Sequence, residues 1–323
     1  MSARAALPDP DIGPAPFPAP RVSILTATYN RSNVLRLVIE TVQRQTVTDW
    51  EWIIVGDACT DDTADVVASF GDPRIRFVNL AQGHGEQSGP NNEAFRLSRA
   101  PHLAYLHHDD LWLPDHLEVT LAALRVTGAD LVFPLVETIL PDEPPRLLGA
   151  SPSGRYAPYF FVPPSAWVLR RDMIEELGPW RSARDCYEAP SEDLLFRAWQ
   201  AGKDMRLVPR FTVVMLPSAW RAQSYARRDF QEHEALVARM RDEPDFRERE
   251  LSALALHYAA AQFRIGSALL LTTRNSVRRG LAALGLRPIA VRRFLQYGRK
   301  GAMLNDLRQR RGLPPIDWKE RRP

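Results

Sequence analysis

Apolar and polar positions along the first half of the chain alternate between two rhythms. Val22-Ser23-Ile24-Leu25-Thr26-Ala27-Thr28 is a short, β-branched run that stops at the polar pair Tyr29-Asn30, and it predicts a buried strand. Val34, Leu35, Val38, Ile39 and Val42 then recur at helical spacing on one face. Strands are predicted again over 52–55 and 75–80. Between these, Thr60 followed by Asp61 and Asp62 predicts an N-cap with acids in the first turn of a helix ending near Phe70. After a glycine-rich polar loop over 81–90, a short helix over 92–99 leads to a strand over 103–106. Pro114 opens a helix with Leu117, Leu121 and Leu124 on one face, and 131–136 is a further strand.

Alternation of this kind predicts an α/β fold: a Rossmann-like, mostly parallel sheet with helices on both faces. Such sheets bind ligands at the carboxyl ends of their strands. Three regions follow. Residues 1–20 carry six prolines and no apolar periodicity, which predicts a flexible leader. Residues 21–225 hold the α/β pattern. Residues 226–323 read as helices without a convincing strand.

Composition narrows the class. A chain of 323 residues suits about two domains, or one with an extension. No apolar run approaches the length of a membrane-spanning helix, and no apolar segment precedes the prolines as a secretory signal requires. Two cysteines, Cys59 and Cys186, cannot make a disulfide framework or a four-thiolate zinc site, so a reducing cytoplasm is the expected setting. The net charge of +3 hides an asymmetry: 274–323 holds 14 Arg and Lys against 3 Asp and Glu, a net of +11, which leaves −8 for the rest. A basic tail on an acidic body suits solvated helices packed on the main domain, or contact with an anionic membrane surface on its inner face. Nucleic acid is not an expected partner, because no nucleic-acid-binding motif accompanies the charge.

Four clusters carry candidate chemistry, and each also has a structural reading. Thr28 and Tyr29 end the first strand; a hydroxyl and a ring there can hold a nucleobase, or simply make a turn. Asp57 ends the second strand ahead of the capping acids and can accept from a base or sugar hydroxyls. His107-His108-Asp109-Asp110 follows a strand directly. Consecutive acids at a sheet mouth are costly without a cation or a solvated cleft, and paired oxygens suit Mg²⁺ or Mn²⁺. The alternative is a cap by Asp110. Ser191-Glu192-Asp193 heads a helix, where a carboxylate either caps or serves as general base.

In this order the clusters resemble the family 2 glycosyltransferases of the GT-A (nucleotide-diphospho-sugar transferase) fold. The matching pieces are Ala27-Thr28-Tyr29-Asn30, Val55 through Thr63, Gly89-Pro90-Asn91-Asn92, Leu106 through Trp112, and Glu192-Asp193, all within about 21–225. The resemblance implies an inverting glycosyltransferase of bacterial type. Such an enzyme moves a sugar from a nucleotide-diphosphate donor to a hydroxyl of a saccharide or lipid-linked acceptor, in cell-surface polysaccharide or glycoconjugate synthesis. It implies that Thr28, Tyr29, Asp57, Asn92 and His108 hold the nucleotide sugar and that Asp109 binds a divalent cation, Mn²⁺ or Mg²⁺. It further implies that Asp193 is the catalytic base, and that Trp180, Glu192 and Ser165 contact the acceptor. Two positions depart from the pattern: Gly56 replaces the first of two acids, and His107 replaces the first acid of Asp-x-Asp.

Two other readings compete. The altered acids suit a GT-A module that binds nucleotide sugar without turnover. A metal-dependent phosphohydrolase built on His107 to Asp110 is disfavoured, because hydrolases of the His-Asp type place such residues on helices. A dinucleotide-binding oxidoreductase is weaker still, since Gly83-His84-Gly85 lacks the third glycine and the position after the first strand.

Overall fold

The computed structural model describes residues 19–262 and 267–318; the expected leader lies almost wholly outside the described residues. The chain runs β1 (Val22–Thr28), α1 (Ser32–Gln43), β2 (Trp50–Gly56), α2 (Thr63–Ser69), β3 (Ile75–Asn79), α3 (Ser88–Leu97), β4 (His102–Tyr105), β5 (Asp110–Trp112), α4 (His116–Thr127), β6 (Leu131–Thr138) and β7 (Arg146–Leu148). It continues through β8 (Val168–Arg170), α5 (Arg171–Leu177), α6 (Pro190–Gln200), β9 (Met205–Met215), α7 (Ser224–Arg227), α8 (Gln231–Asp242), α9 (Phe246–Gln262), α10 (Ser267–Ala283), α11 (Pro288–Tyr297) and α12 (Ala302–Arg310).

One sheet holds all the strands, in the order β3-β2-β1-β4-β8-β6-β9-β5, with β7 on β6. The expected α/β fold is present. β3, β2, β1 and β4 are parallel, and β6 pairs parallel with β9. β8 enters antiparallel between β4 and β6, and β5 is antiparallel to β9. Thr28 pairs with Gly56 and Gly56 with Asn79, so β1, β2 and β3 end level at one rim. The apolar runs that predicted β1 and β2 are buried on both faces, as a helix-covered parallel sheet requires: Ile24, Leu25, Ile53, Ile54 and Val55 are almost fully inaccessible, whereas β3 at the sheet edge is only partly buried. α1 covers one face with Val34, Leu35, Val38, Ile39 and Val42.

Local boundaries differ from the expectations in three places. Thr60 is not a cap: α2 starts at Thr63, and the Asp61 carboxylate accepts from the Thr63 amide at 3.2 Å. Thr60 is instead held by Asn30, whose side-chain oxygen accepts the Thr60 amide at 2.8 Å. Asn30 sits at φ 47°, a left-handed conformation that asparagine tolerates well. α3 begins at Ser88 rather than Asn92, because Pro90 fits a first helical turn that needs no N–H there. Asp110 lies in a strand, so it caps nothing.

Beyond Tyr225 the described residues are helical, and they fold back on the sheet rim. The Gln223 and Tyr225 amides donate to the Arg310 and Arg311 carbonyls at 2.9 and 3.2 Å, and the Gly301 amide to Cys186 at 3.1 Å. Arg308 reaches the Gly85 carbonyl at 2.6 Å. The C-terminal helices therefore roof the strand ends. No helix among the described residues is long and apolar enough to cross a membrane.

Candidate active site

The rim of β1 and β2 and the segment after β4 open into one cavity of about 650 Å³. Its floor holds Thr28, Tyr29 and Asp57, its middle His107 to Asp110, and one side Ser191 and Glu192. α11 and α12 supply the roof through Arg292, Arg293, Arg308 and Arg311.

Thr28 Oγ1 is buried without a hydrogen-bond partner among the described residues, a polar atom left for something entering the cavity. The Tyr29 ring stacks with Tyr225, centroids 6.3 Å apart. Asp57 accepts the His84 amide at 2.5 Å and the Gly85 amide at 2.6 Å, so it pins the following loop while remaining on the wall. Gly56 has a specific cause. A Cβ there would meet Asn79 Oδ1 at 2.5 Å. Asn79 fills that space to hold Cys59, accepting its amide at 2.8 Å and donating to its carbonyl at 2.9 Å.

His108 Nδ1 faces the Ala27 carbonyl at 3.2 Å, which requires the proton on Nδ1 and leaves Nε2 to accept from the Tyr225 hydroxyl at 3.3 Å. Burial lowers the His108 pKa to about 4, so the ring is neutral near pH 7. Burial also lowers His107, whose Nε2 meets Gln87 Oε1 at 3.0 Å. Burial pushes the Asp109 carboxyl up, but the His108 and His107 rings, which are charged only in acid, and the Arg31 and Arg311 guanidiniums outweigh it and bring the group below the usual carboxylate range. Asp110 is raised well above the carboxylate range by its burial and by Asp109 beside it.

His107, Asp109 and Asp110 offer ligand atoms all within 4.8 Å of one another. Asp110 is largely committed elsewhere: it accepts from Ser165 Oγ at 2.5 Å and the Leu216 amide at 3.2 Å. Asp109 Oδ2 accepts the Ser218 amide at 3.1 Å, while among the described residues no hydrogen bond engages Oδ1. One free carboxylate oxygen beside a neutral imidazole fits a divalent cation, and the nitrogen donor suits Mn²⁺ better than Mg²⁺.

Four expected site residues do not reach the cavity wall. Asn92 and Trp180 clamp each other: the Trp180 amide donates to Asn92 Oδ1 at 2.9 Å, and Asn92 Nδ2 to the Trp180 carbonyl at 3.0 Å. The Trp180 ring lies in the core, stacked on Trp167 at 5.7 Å and bonded through Nε1 to the Tyr105 hydroxyl. It is no sugar platform. Ser165 is fully buried behind Asp110, where it donates to that carboxyl and accepts the His107 amide at 3.0 Å. It positions the acids.

Asp193 is also fully buried, with its oxygens paired to Arg197 at 2.9 Å, Arg287 at 2.5 Å and Arg181 at 3.4 Å. Both carboxylate oxygens are thus engaged by guanidiniums, and Asp193 does not line the cavity. Its neighbour Glu192 lines the cavity and accepts the Ala189 amide at 3.1 Å. Burial raises the Glu192 pKa.

Sequence reasoning did not find Tyr225, Asn79, Arg308 or Arg311. Each lies far in sequence from the strand end it touches, and none sits in a local pattern that signals a site.

The topology and the rim cavity define a GT-A-like, nucleotide-sugar-transferase fold. Residues 23–178 match the family model Glycosyl transferase family 2. A 118-residue stretch is 27% identical to the Escherichia coli UDP-Glc:alpha-D-GlcNAc-diphosphoundecaprenol beta-1,3-glucosyltransferase WfgD, covering 36% of this chain and 46% of that protein. The match thus spans less than half the length of that relative. Among solved structures, Staphylococcus aureus TarS 1-349 in complex with UDP-GlcNAc superposes with a TM-score of 0.53 at 15% identity, covering 78% of this chain and 75% of that one. The mannosyltransferase PcManGT from Pyrobaculum calidifontis, in complex with GDP-Man and Mn²⁺, gives 0.52 at 19% identity, covering 90% and 91%.

Proposed function

We propose that this chain is an inverting glycosyltransferase. It takes a sugar from a nucleoside-diphosphate donor and passes it to a hydroxyl of a saccharide or lipid-linked acceptor, in bacterial surface-polysaccharide synthesis at the cytoplasmic side. One observation carries the reading: a single cavity at the strand ends gathers Thr28, Tyr29, Asp57, the His107–Asp110 run and Glu192, in a chain whose residues 23–178 match the family 2 model.

In this reading the nucleotide lies on the floor. Thr28 Oγ1 gains the partner it lacks, and the Tyr29 and Tyr225 rings flank the base. Asp57 keeps the 83–85 loop closed over it. Asp109, with His107 beside it, holds the divalent cation, which when bound supplies charge neutralisation for the diphosphate. Arg308 and Arg311 on the roof add positive charge where the leaving group develops its own.

Glu192 takes the base role in place of Asp193. A base is most effective when its pKa approaches the working pH, and burial moves Glu192 in that direction. The acceptor hydroxyl loses its proton to Glu192 as the oxygen attacks the anomeric carbon and the glycosyl–phosphate bond breaks. The electron pair leaves with the nucleoside diphosphate, and a single displacement inverts the centre. Asp193 acts as a positioning residue that ties the head of α6 to α11 through Arg287.

The reading is tested by following sugar transfer from UDP- and GDP-linked donors to a panel of saccharide acceptors. Donor binding without transfer to any acceptor would favour the non-enzymatic GT-A module, and phosphate-ester hydrolysis in place of transfer would favour the phosphohydrolase.

A further inference from the structure

Residues 251–305 contain no Asp or Glu and nine Arg or Lys. Among the described residues of this stretch, the large apolar side chains around the α10–α11 turn and on the outer side of α11 are uncovered. Leu284 is 76% exposed and Leu295 78%, and Leu286, Phe294 and Val277 are also large and exposed. Outside α9 to α11 only Val126 and Trp220 are comparable among the described residues. Exposed leucines gathered in one region differ from the scattered single ones that any surface carries.

The cations are arranged around these leucines. On α11, Arg292 lies about one turn before Leu295 and shares its face, and Arg299 and Lys300 follow directly after the Gly298 cap that ends the helix. Among the described residues, Arg292, Arg299 and Lys300 form no ion pair; Lys300 lies over the Tyr187 ring at 5.6 Å. The adjoining side of α11 presents Ile289, Arg292 and Arg293 to the cavity. The exposed apolar face is therefore continuous with the cavity mouth.

We infer that the α10–α11 turn and the outer face of α11 dock on an anionic lipid bilayer. Stable interfacial attachment needs two signals, inserted apolar groups and a basic patch, and this surface supplies both. A second copy of the chain is a poor occupant, because a two-fold contact would set an acid-free basic patch against itself. Nucleic acid would use the arginines and leave the leucines in water. Docking sets the Arg292–Arg293 side of the cavity at headgroup level, where a lipid-linked acceptor presents its sugar. The inference stands apart from the catalytic reading, since vesicle binding is measured without donor or acceptor.

The test is co-sedimentation of the full chain with vesicles of phosphatidylcholine alone and of phosphatidylcholine mixed with phosphatidylglycerol, at low and high salt. Binding is expected only to the anionic vesicles and weakens with salt. The triple change Leu284→Ser, Leu286→Ser, Leu295→Ser lowers it about tenfold or more, as does Arg299→Glu with Lys300→Glu at low salt. Val126→Ser, an equally exposed residue on α4, leaves it unchanged. Circular dichroism checks that the variants fold. Three results overturn the inference: no binding of the parent to anionic vesicles, parental binding by the leucine variant, or a dimer in solution that the leucine variant breaks.

Discussion

Arg287, at the N-terminal edge of α11, donates to the Asp193 carboxylate at the head of α6 across a 2.5 Å ion pair, and the same guanidinium nitrogen reaches Glu188 at 2.7 Å. The contact joins the C-terminal helices to α6 at the residue a sequence pattern marks as the base. The preceding residue, Glu192, lines the cavity instead, and in the proposed reading it takes the base role.

Glu192→Gln is expected to reduce kcat by a factor of about 10² or more with donor KM little changed, because it removes a proton acceptor needed only in the transition state. Asp193→Asn is expected to cost stability as well, since it removes the charge that three arginines share. The Glu192 pKa is raised, and the base must be ionised. Activity therefore falls as pH drops through a value above the ordinary glutamate range, and Glu192→Gln abolishes that acid limb. Steady-state transfer across pH decides; normal turnover in Glu192→Gln returns the role to another residue.

Ala58 occupies φ 60°, where the Cβ of an L-residue is strained. Ala58→Gly is expected to raise unfolding free energy by about 0.5–1 kcal/mol, the strain relief exceeding the added chain entropy of glycine in the unfolded state. The urea midpoint checks it. A lower midpoint shows that the methyl group contributes more in packing than its backbone costs.

Trp180→Ala is expected to lose about 3–5 kcal/mol, as a large buried side chain cut from the core does. Equilibrium unfolding gives the number. A stable Trp180→Ala protein with a changed acceptor KM alone would falsify the core assignment.

The parallel half of the sheet was legible because β1, β2 and most of β4 are buried and read as largely apolar runs ended by polar residues, while β3, at the sheet edge and only partly buried, still keeps Ile75, Phe77 and Val78 around Arg76. β5 was not, because its three residues begin with Asp110, a buried acid tolerated through Ser165 and Leu216. Strand ends at the rim gave Thr28, Tyr29, Asp57 and Asp109, since topology alone carries them to one place. The split between wall and core was not legible. The Asn92–Trp180 clamp joins positions 88 residues apart, and no local spacing shows that their hydrogen bonds are spent on each other. For the same reason Gly56 reads in sequence as a lost acid, whereas in the fold Asn79 needs its space.

The central claim is that this cavity holds a nucleoside diphosphate at Asp109. Calorimetric titration of UDP and of GDP, with and without Mn²⁺, into the parent and Asp109→Asn tests it directly. The account predicts that the parent binds one of the two more tightly with Mn²⁺. It predicts that Asp109→Asn, with an unchanged melting temperature, loses that Mn²⁺-dependent gain by about tenfold or more. Equal Mn²⁺-dependent affinity in parent and variant, or binding of neither nucleotide by a folded parent, contradicts it.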